Sequence, residues 1–258
     1  MSGWHDPETP AYYEAFCRTH SRYAHANAAL IAHAHIEPGQ RVLDLAAGTG
    51  RTAETVLDRL GEHGRVLAVE PSAAMRGEGI RRLQDPRVEW CDAVPGAGVF
   101  DRIVCGAAMW QLNPIADTLR KLAARLRPGG ALCFNIPSLY LLEADEPGGG
   151  ADPLLLSLPA LLWRRLPPGA PAFVPALDRP SLTAWLRAAS LRPRPWQFRV
   201  RLTQEAYAAW LKIPVLTDGM MPGVAAAERA RRIDAALESV DRSSWKWERW
   251  SGWTAWKI

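Results

Sequence analysis

Residues 41–54, RVLDLAAGTGRTAE, constrain this chain more than any other stretch. An almost wholly apolar run reaches Gly48 and Gly50 and passes at once into a segment with helical spacing. Glycine adopts left-handed backbone that a side chain resists, and it lets the backbone approach a ligand without an intervening Cβ. A strand that turns into a helix through such a loop belongs to a parallel α/β sheet, because that unit needs a neighbouring parallel strand to bury it.

The turn read as Gly48-x-Gly50-x-x-Ala53 matches the dinucleotide pattern, with alanine at the third glycine. A strand entering that pattern is usually apolar throughout, whereas Asp44 interrupts VLDLA at the strand's carboxyl end. An acid there suits a ligand with a cationic amino group. Glu70 ends the next strand, LAVE, twenty residues past Gly50, where a carboxylate accepts from ribose hydroxyls. Ribose is therefore expected, and pyrophosphate is not required.

The rest of the chain alternates in the same way. Helices are expected over 9–18 and 21–35, then strand 41–46, helix 51–61, strand 65–70, helix 72–84, strands 87–91 and 99–106, helix 114–126 and strand 130–136. The turns RLGEHG, PGAG and LRPGG separate them. Strand 194–202, helix 204–213, the loop PVLTDGMMPG, helix 223–239 and a last strand within 245–258 follow. At 258 residues this predicts one domain over 1–258, capped by helices in 1–38 and interrupted over 138–192 by a Gly- and Pro-rich helical lid.

Composition excludes several partners. A net charge of +4 comes from 27 arginines and 4 lysines spread along the chain. The one dense basic stretch, LRPRPWQFRVRL, is explained by strand alternation, and no nucleic-acid surface is expected. The start, MSGWHDPETPAYYEAF, lacks a basic flank with an apolar core, and no apolar run approaches the roughly 18–20 residues of a membrane span. A cytoplasmic protein with no membrane partner is expected, as monomer or homodimer. Cys17, Cys91, Cys105 and Cys133 are too scattered for a zinc site and read as buried free thiols; no metal is expected. Of six histidines, five fall in the first 35 residues, where one of them could line an active site.

The tail SSWKWERWSGWTAWKI holds Trp245, Trp247, Trp250, Trp253 and Trp256. These read as a closing strand burying aromatics under helices rather than a stacking platform. Their spacing fits no single strand face, so a bulge is expected at Ser251-Gly252.

Five stretches together resemble class I S-adenosylmethionine-dependent methyltransferases of the small-molecule type: VLDLAAGTG, VEPSAAM, CDA at 91–93, FDRIVCGAAMWQL and LRPGGALCF. The resemblance covers residues 41–136 well and the rest loosely. It implies a Rossmann-like fold with a mostly parallel seven-stranded sheet, helices on both faces, N-terminal helices and the lid, and S-adenosyl-L-methionine as cofactor. It places Asp44, Ala46, Gly48 and Gly50 around the methionine end, Glu70 and Pro71 at the ribose, and Met75, Asp92 and Ala93 at the adenine. Cys105 and Gly106 would floor the cleft, and Tyr13 and Tyr23 would close over it.

The reaction so implied is in-line displacement at a sulfonium methyl by an O, N or C atom of a small organic acceptor. It needs alignment in a dry cleft more than covalent help, with a base only if the acceptor must lose a proton. His20 and Tyr23 are the base candidates, and Gln111 an orienting group beside Trp110. Trp110, Gln111, Tyr140 and Trp163 are the expected acceptor-binding residues. An NPPY-like signature of base-amino methyltransferases is missing, since Gly106 stands where its Asn would fall. Two other readings are a fold with a non-methylating or partner-binding role, and an NAD-dependent oxidoreductase resting on GTGRTA alone.

Overall fold

The computed structural model describes residues 3–96, 98–143, 146–147, 177–218, 221 and 223–258. Its strands are β1 (Arg41–Leu45), β2 (Arg65–Val69), β3 (Val88–Cys91), β4 (Phe100–Cys105), β5 (Leu126–Pro137), β6 (Glu146–Pro147), β7 (Leu191–Thr203) and β8 (Trp245–Lys257). The helices are α1 (Thr9–Thr19), α2 (Arg22–Ala34), α3 (Arg51–Leu60), α4 (Ala73–Arg82), α5 (Ile115–Arg125), α6 (Arg179–Ala188), α7 (Gln204–Leu211), α8 (Pro214–Asp218) and α9 (Ala226–Leu237).

One sheet runs β3-β2-β1-β4-β5-β8, with β7 on the far edge of β8 and β6 extending the β5 side. Strands β1 to β5 are parallel, and β8 is antiparallel to both β5 and β7. This is the expected Rossmann-like sheet with helices on both faces, gaining a two-residue strand, β6. Strand order reverses between β1 and β4. Ligands of such sheets sit outside the carboxyl ends of the strands at that switch point.

Period-two alternation sends successive side chains to opposite faces. Val42 and Val104 face α2 and α3 with Leu30, Val56 and Leu60, while Leu43, Ile103 and Leu132 face Leu119, Leu122 and Leu186 of α5 and α6. A third cluster joins Phe16 and Tyr23 of the N-terminal helices to Tyr207, Trp210, Ile233 and Trp250, fastening both ends of the chain together.

The expected bulge at Ser251-Gly252 is absent. Pairing of β8 with β7 runs unbroken from Leu191↔Lys257 to Thr203↔Trp245, and with β5 from Ala131↔Trp256 to Pro137↔Trp250. Both faces of β8 are covered, so its tryptophans need not share a side: Trp250 packs beside Phe198, and Trp253 stacks on Phe134 across the sheet. Gly252 is where the Trp196 ring crosses the strand, since a Cβ there would lie 2.3 Å from that ring.

Other boundaries differ for local reasons. The LRPGG turn is drawn into β5: Leu126 pairs with Phe100 before the register shifts, and Gly129 takes φ +73°. Part of the PVLTDGMMPG loop forms α8, whose leading proline has the φ a first helical turn needs. Of the four free thiols, Cys105 and Cys133 are buried, but Cys17 and Cys91 are only half-buried, Cys91 because β3 is an edge strand. In β7, Arg199 and Arg201 lie over Trp247 and Trp245 at 4.5 Å each, as strand alternation requires. Among the described residues no helix is long and apolar enough to cross a membrane, and no group of three or more His, Cys, Asp or Glu could hold a metal ion.

Candidate active site

A cleft of about 210 Å³ opens at the carboxyl ends of β1, β2 and β4, at the switch point. Its inner wall is the turn between β1 and α3. Ala46, Gly48 and Gly50 have φ of +56°, +57° and +80°, so three of five residues in the turn are left-handed. That conformation is open to glycine and costs an L-residue such as Ala46 about 1 kcal/mol or more. Gly48 faces the cleft beside Met75, whereas a Cβ on Gly50 would meet Trp90 at 3.0 Å. Gly50 therefore serves the packing behind the turn.

Glu70 stands across from that turn. Its Oε2 accepts from the Gly48 amide and its Oε1 from the Ser72 amide, both at 2.8 Å. A carboxylate has about four acceptor sites, so each oxygen keeps capacity for one further donor. Burial raises the Glu70 carboxyl above its ordinary range, against these two amide bonds, which lower it. Ser72 caps α4 through the Met75 amide, aiming that helix's N-terminus at the same region.

Asp44 is fully buried beneath the turn and does not line the cleft. Neither of its oxygens has a hydrogen-bond partner among the described residues. Burial raises its carboxyl to about 8; the Ala53 amide favours the charged form without closing a hydrogen bond. A positive charge on the cleft side of the glycine wall would favour the ionised form of this acid.

The floor and outer wall come from β4, α2 and the N-terminal segment. Gly106 has no room for a side chain, because a Cβ would lie 2.6 Å from Thr52 Oγ1 and 3.2 Å from Asn27 Oδ1, which are themselves hydrogen-bonded at 3.2 Å. Ala107 follows at φ +51°, its amide donating to Asn135 Oδ1 at 2.9 Å. Trp4 spans the mouth: its indole N–H donates to Gln111 Oε1 at 2.7 Å, and its carbonyl accepts from Ser72 Oγ at 2.6 Å. Tyr13 packs edge-on to Trp4 and against Tyr23, and burial raises both phenols. Tyr23 Oη accepts from Trp210 Nε1 at 2.9 Å.

Of the residues expected from the sequence, the cleft brings together Tyr13, Tyr23, Ala46, Gly48, Glu70, Pro71, Met75, Gly106, Trp110 and Gln111. Tyr140 lies behind Trp110, stacked on it at 4.0 Å. Asp92 and Ala93 are exposed in the bend after β3, and Cys105 is buried in the core beneath the floor. His20 ends α1 with its ring on Phe16, away from the cleft. Trp163 lies outside the described residues. Of the five early histidines, one of which could line an active site, His5 does line the cleft; lining residues that sequence reasoning missed include Trp4, Asn27, Arg51, Thr52 and Leu216. Arg51 and Thr52 open the helix after the glycine turn, a signal that could have marked them.

The sheet order, the glycine turn and the acid at the end of β2 define a Rossmann-like fold of the class I methyltransferase kind. The methyltransferase-domain family matches residues 42–130. The chain is 28% identical over 207 residues to trans-aconitate 2-methyltransferase of Azoarcus sp. (strain BH72), covering 70% of this chain and 79% of that one. It is 32% identical over 126 residues to the ubiquinone/menaquinone biosynthesis C-methyltransferase UbiE of Coxiella burnetii (strain Dugway 5J108-111), covering 44% of this chain. That match spans 50% of the UbiE relative's length. The crystal structure of the YcgJ protein from Bacillus subtilis superposes with a TM-score of 0.59 at 16% identity, over 91% of this chain and 98% of that one. Residues 42–130 are thus similar to the methyltransferase-domain family, and the fold is that of the class I methyltransferases.

Proposed function

We propose that this protein transfers a methyl group from S-adenosyl-L-methionine to a small organic acceptor. The observation that carries the reading is the pairing of Glu70 with the left-handed turn at Gly48: two backbone amides fix the carboxylate and leave one acceptor site on each oxygen. Adjacent ribose hydroxyls are donors of the matching kind.

The residues present fit the cofactor. Ala46 and Gly48 would pass the methionine end, where a cationic ligand would favour ionisation of the unpartnered Asp44 behind them. Glu70 would hold the ribose, and Met75 and Pro71 would pack near the base. The bound cofactor supplies an activated methyl on a sulfonium. This chain's own residues then have two tasks. Trp4, Tyr13 and Tyr23 close the outer wall and keep water out, which strengthens every electrostatic interaction inside. Gln111, its carbonyl held by Trp4, keeps its amide N–H groups to orient the acceptor. Of the two base candidates Tyr23 lines the cleft and His20 does not, and the orienting Gln111 lines it as well.

The test is incubation with S-adenosylmethionine and a panel of small acceptors, read by mass spectrometry. A gain of one methyl that disappears in Glu70→Ala supports the reading; transfer unaffected by Glu70→Ala contradicts it.

A further inference from the structure

We infer that the acceptor is a planar ring that carries no carboxylate, stacked on Trp110 and hydrogen-bonded by Tyr23; this rests on the reading above. Trp110 lines the cleft with one face already covered by Tyr140, their rings 4.0 Å apart and 12° from parallel. A tryptophan backed in this way is a rigid platform whose other face stacks on a flat ligand at little entropic cost. Across the cleft stand Tyr13 and Tyr23, themselves 5.4 Å apart.

Charge argues against an anion. Arg51 is the one arginine lining the cleft among the described residues, and it is ion-paired with Glu14. Arg22, beneath Tyr23, is held by both oxygens of Glu248 at 2.8 and 2.7 Å, with the two side chains 1% and 3% exposed. His5 sits on the Glu70 side, where its field favours that carboxylate. Glu14 and Glu70 meanwhile place two carboxylates beside the turn, hydrogen-bonded to Thr49 and to the Gly48 amide. A carboxylate brought into this cleft would lose its water, find the lining Arg51 already paired with Glu14 and meet the Glu70 carboxylate.

Tyr23 supplies the polar handle. Indole nitrogen only donates, so Tyr23 Oη is the acceptor toward Trp210, and its own proton is left for another partner. No described residue takes it. An oxygen substituent on the ring, a hydroxyl or carbonyl, is the group that would.

The experiment is calorimetric titration of the full chain, first with S-adenosylhomocysteine, then, saturated with it, with 2-naphthol and with trans-aconitate. The expected result is saturable 2-naphthol binding, weakened about tenfold in Trp110→Leu and about fivefold in Tyr23→Phe, with trans-aconitate heat absent. Binding of trans-aconitate, binding of neither compound, or 2-naphthol affinity indifferent to both variants overturns the inference while leaving cofactor binding intact. Failure of S-adenosylhomocysteine itself to bind overturns the cofactor reading and this inference with it.

Discussion

Glu14, in the helix that caps the cleft, accepts a hydrogen bond from Thr49 of the glycine turn at 2.5 Å. The same carboxylate pairs with Arg51, the first residue of α3. Burial works against its charge, but the Arg51 and Thr49 hydrogen bonds outweigh burial and hold its carboxyl below the ordinary carboxylate range. One acid thus fastens the N-terminal cap to the glycine turn.

Glu14→Ala leaves Arg51 and Thr49 without their partner and should lower unfolding free energy by about 2–4 kcal/mol, read as a fall in denaturant midpoint. Because the folded-state value is depressed, the stability due to Glu14 is present above its ordinary value. It is lost as pH falls through the folded value. The wild type should therefore lose stability on acidification more steeply than the variant; parallel curves would mean that the pair contributes nothing.

Asp44 has the opposite sign. Its folded-state value is raised to about 8, so the folded protein holds a proton that the unfolded chain releases near pH 4. Stability should fall between about pH 4 and pH 8, by at most about 1.4 kcal/mol per pH unit from this group. Asp44→Asn should flatten that slope in thermal melts of the ligand-free protein. Glu70, also raised, leaves a residual slope of the same sign.

Ala46 holds φ +56° where glycine would be unstrained. Ala46→Gly relieves that strain and adds some unfolded-chain entropy, for a net gain of about 0.5–1 kcal/mol by urea denaturation. A loss of stability would show that the Ala46 methyl contributes packing that outweighs the strain.

Gly106→Ala drives a methyl to 2.6 Å from Thr52 Oγ1 and into the floor of the cleft. We expect a folded protein by circular dichroism that binds S-adenosylhomocysteine at least about tenfold more weakly. Wild-type affinity would place the cofactor away from this floor.

Much of this was legible before the fold was known, and the reasons are local. Gly48, Glu70 and Met75 follow one another along a strand–helix–strand unit, so their spacing along the chain carries their proximity in space. Trp4 and Gln111 lie 107 residues apart, and neither sits in a periodic pattern that would betray the contact. Asp44 was legible as an unusual residue but not as one hidden from the cleft, because strand alternation names a face without saying how deep it lies. The bulge expected in β8 came from assuming one buried face, while β5 and β7 flank the strand and helices cover both sides.

The central claim is that Glu70 and the Gly48 turn hold the ribose and methionine portions of S-adenosylmethionine. Calorimetric titration of wild type and Glu70→Ala with S-adenosylhomocysteine, and of wild type with NAD, tests it most directly. We predict saturable binding of S-adenosylhomocysteine, at least about tenfold weaker in Glu70→Ala, and no heat with NAD. Equal affinity in both proteins, or stoichiometric binding of NAD in place of S-adenosylhomocysteine, would contradict it.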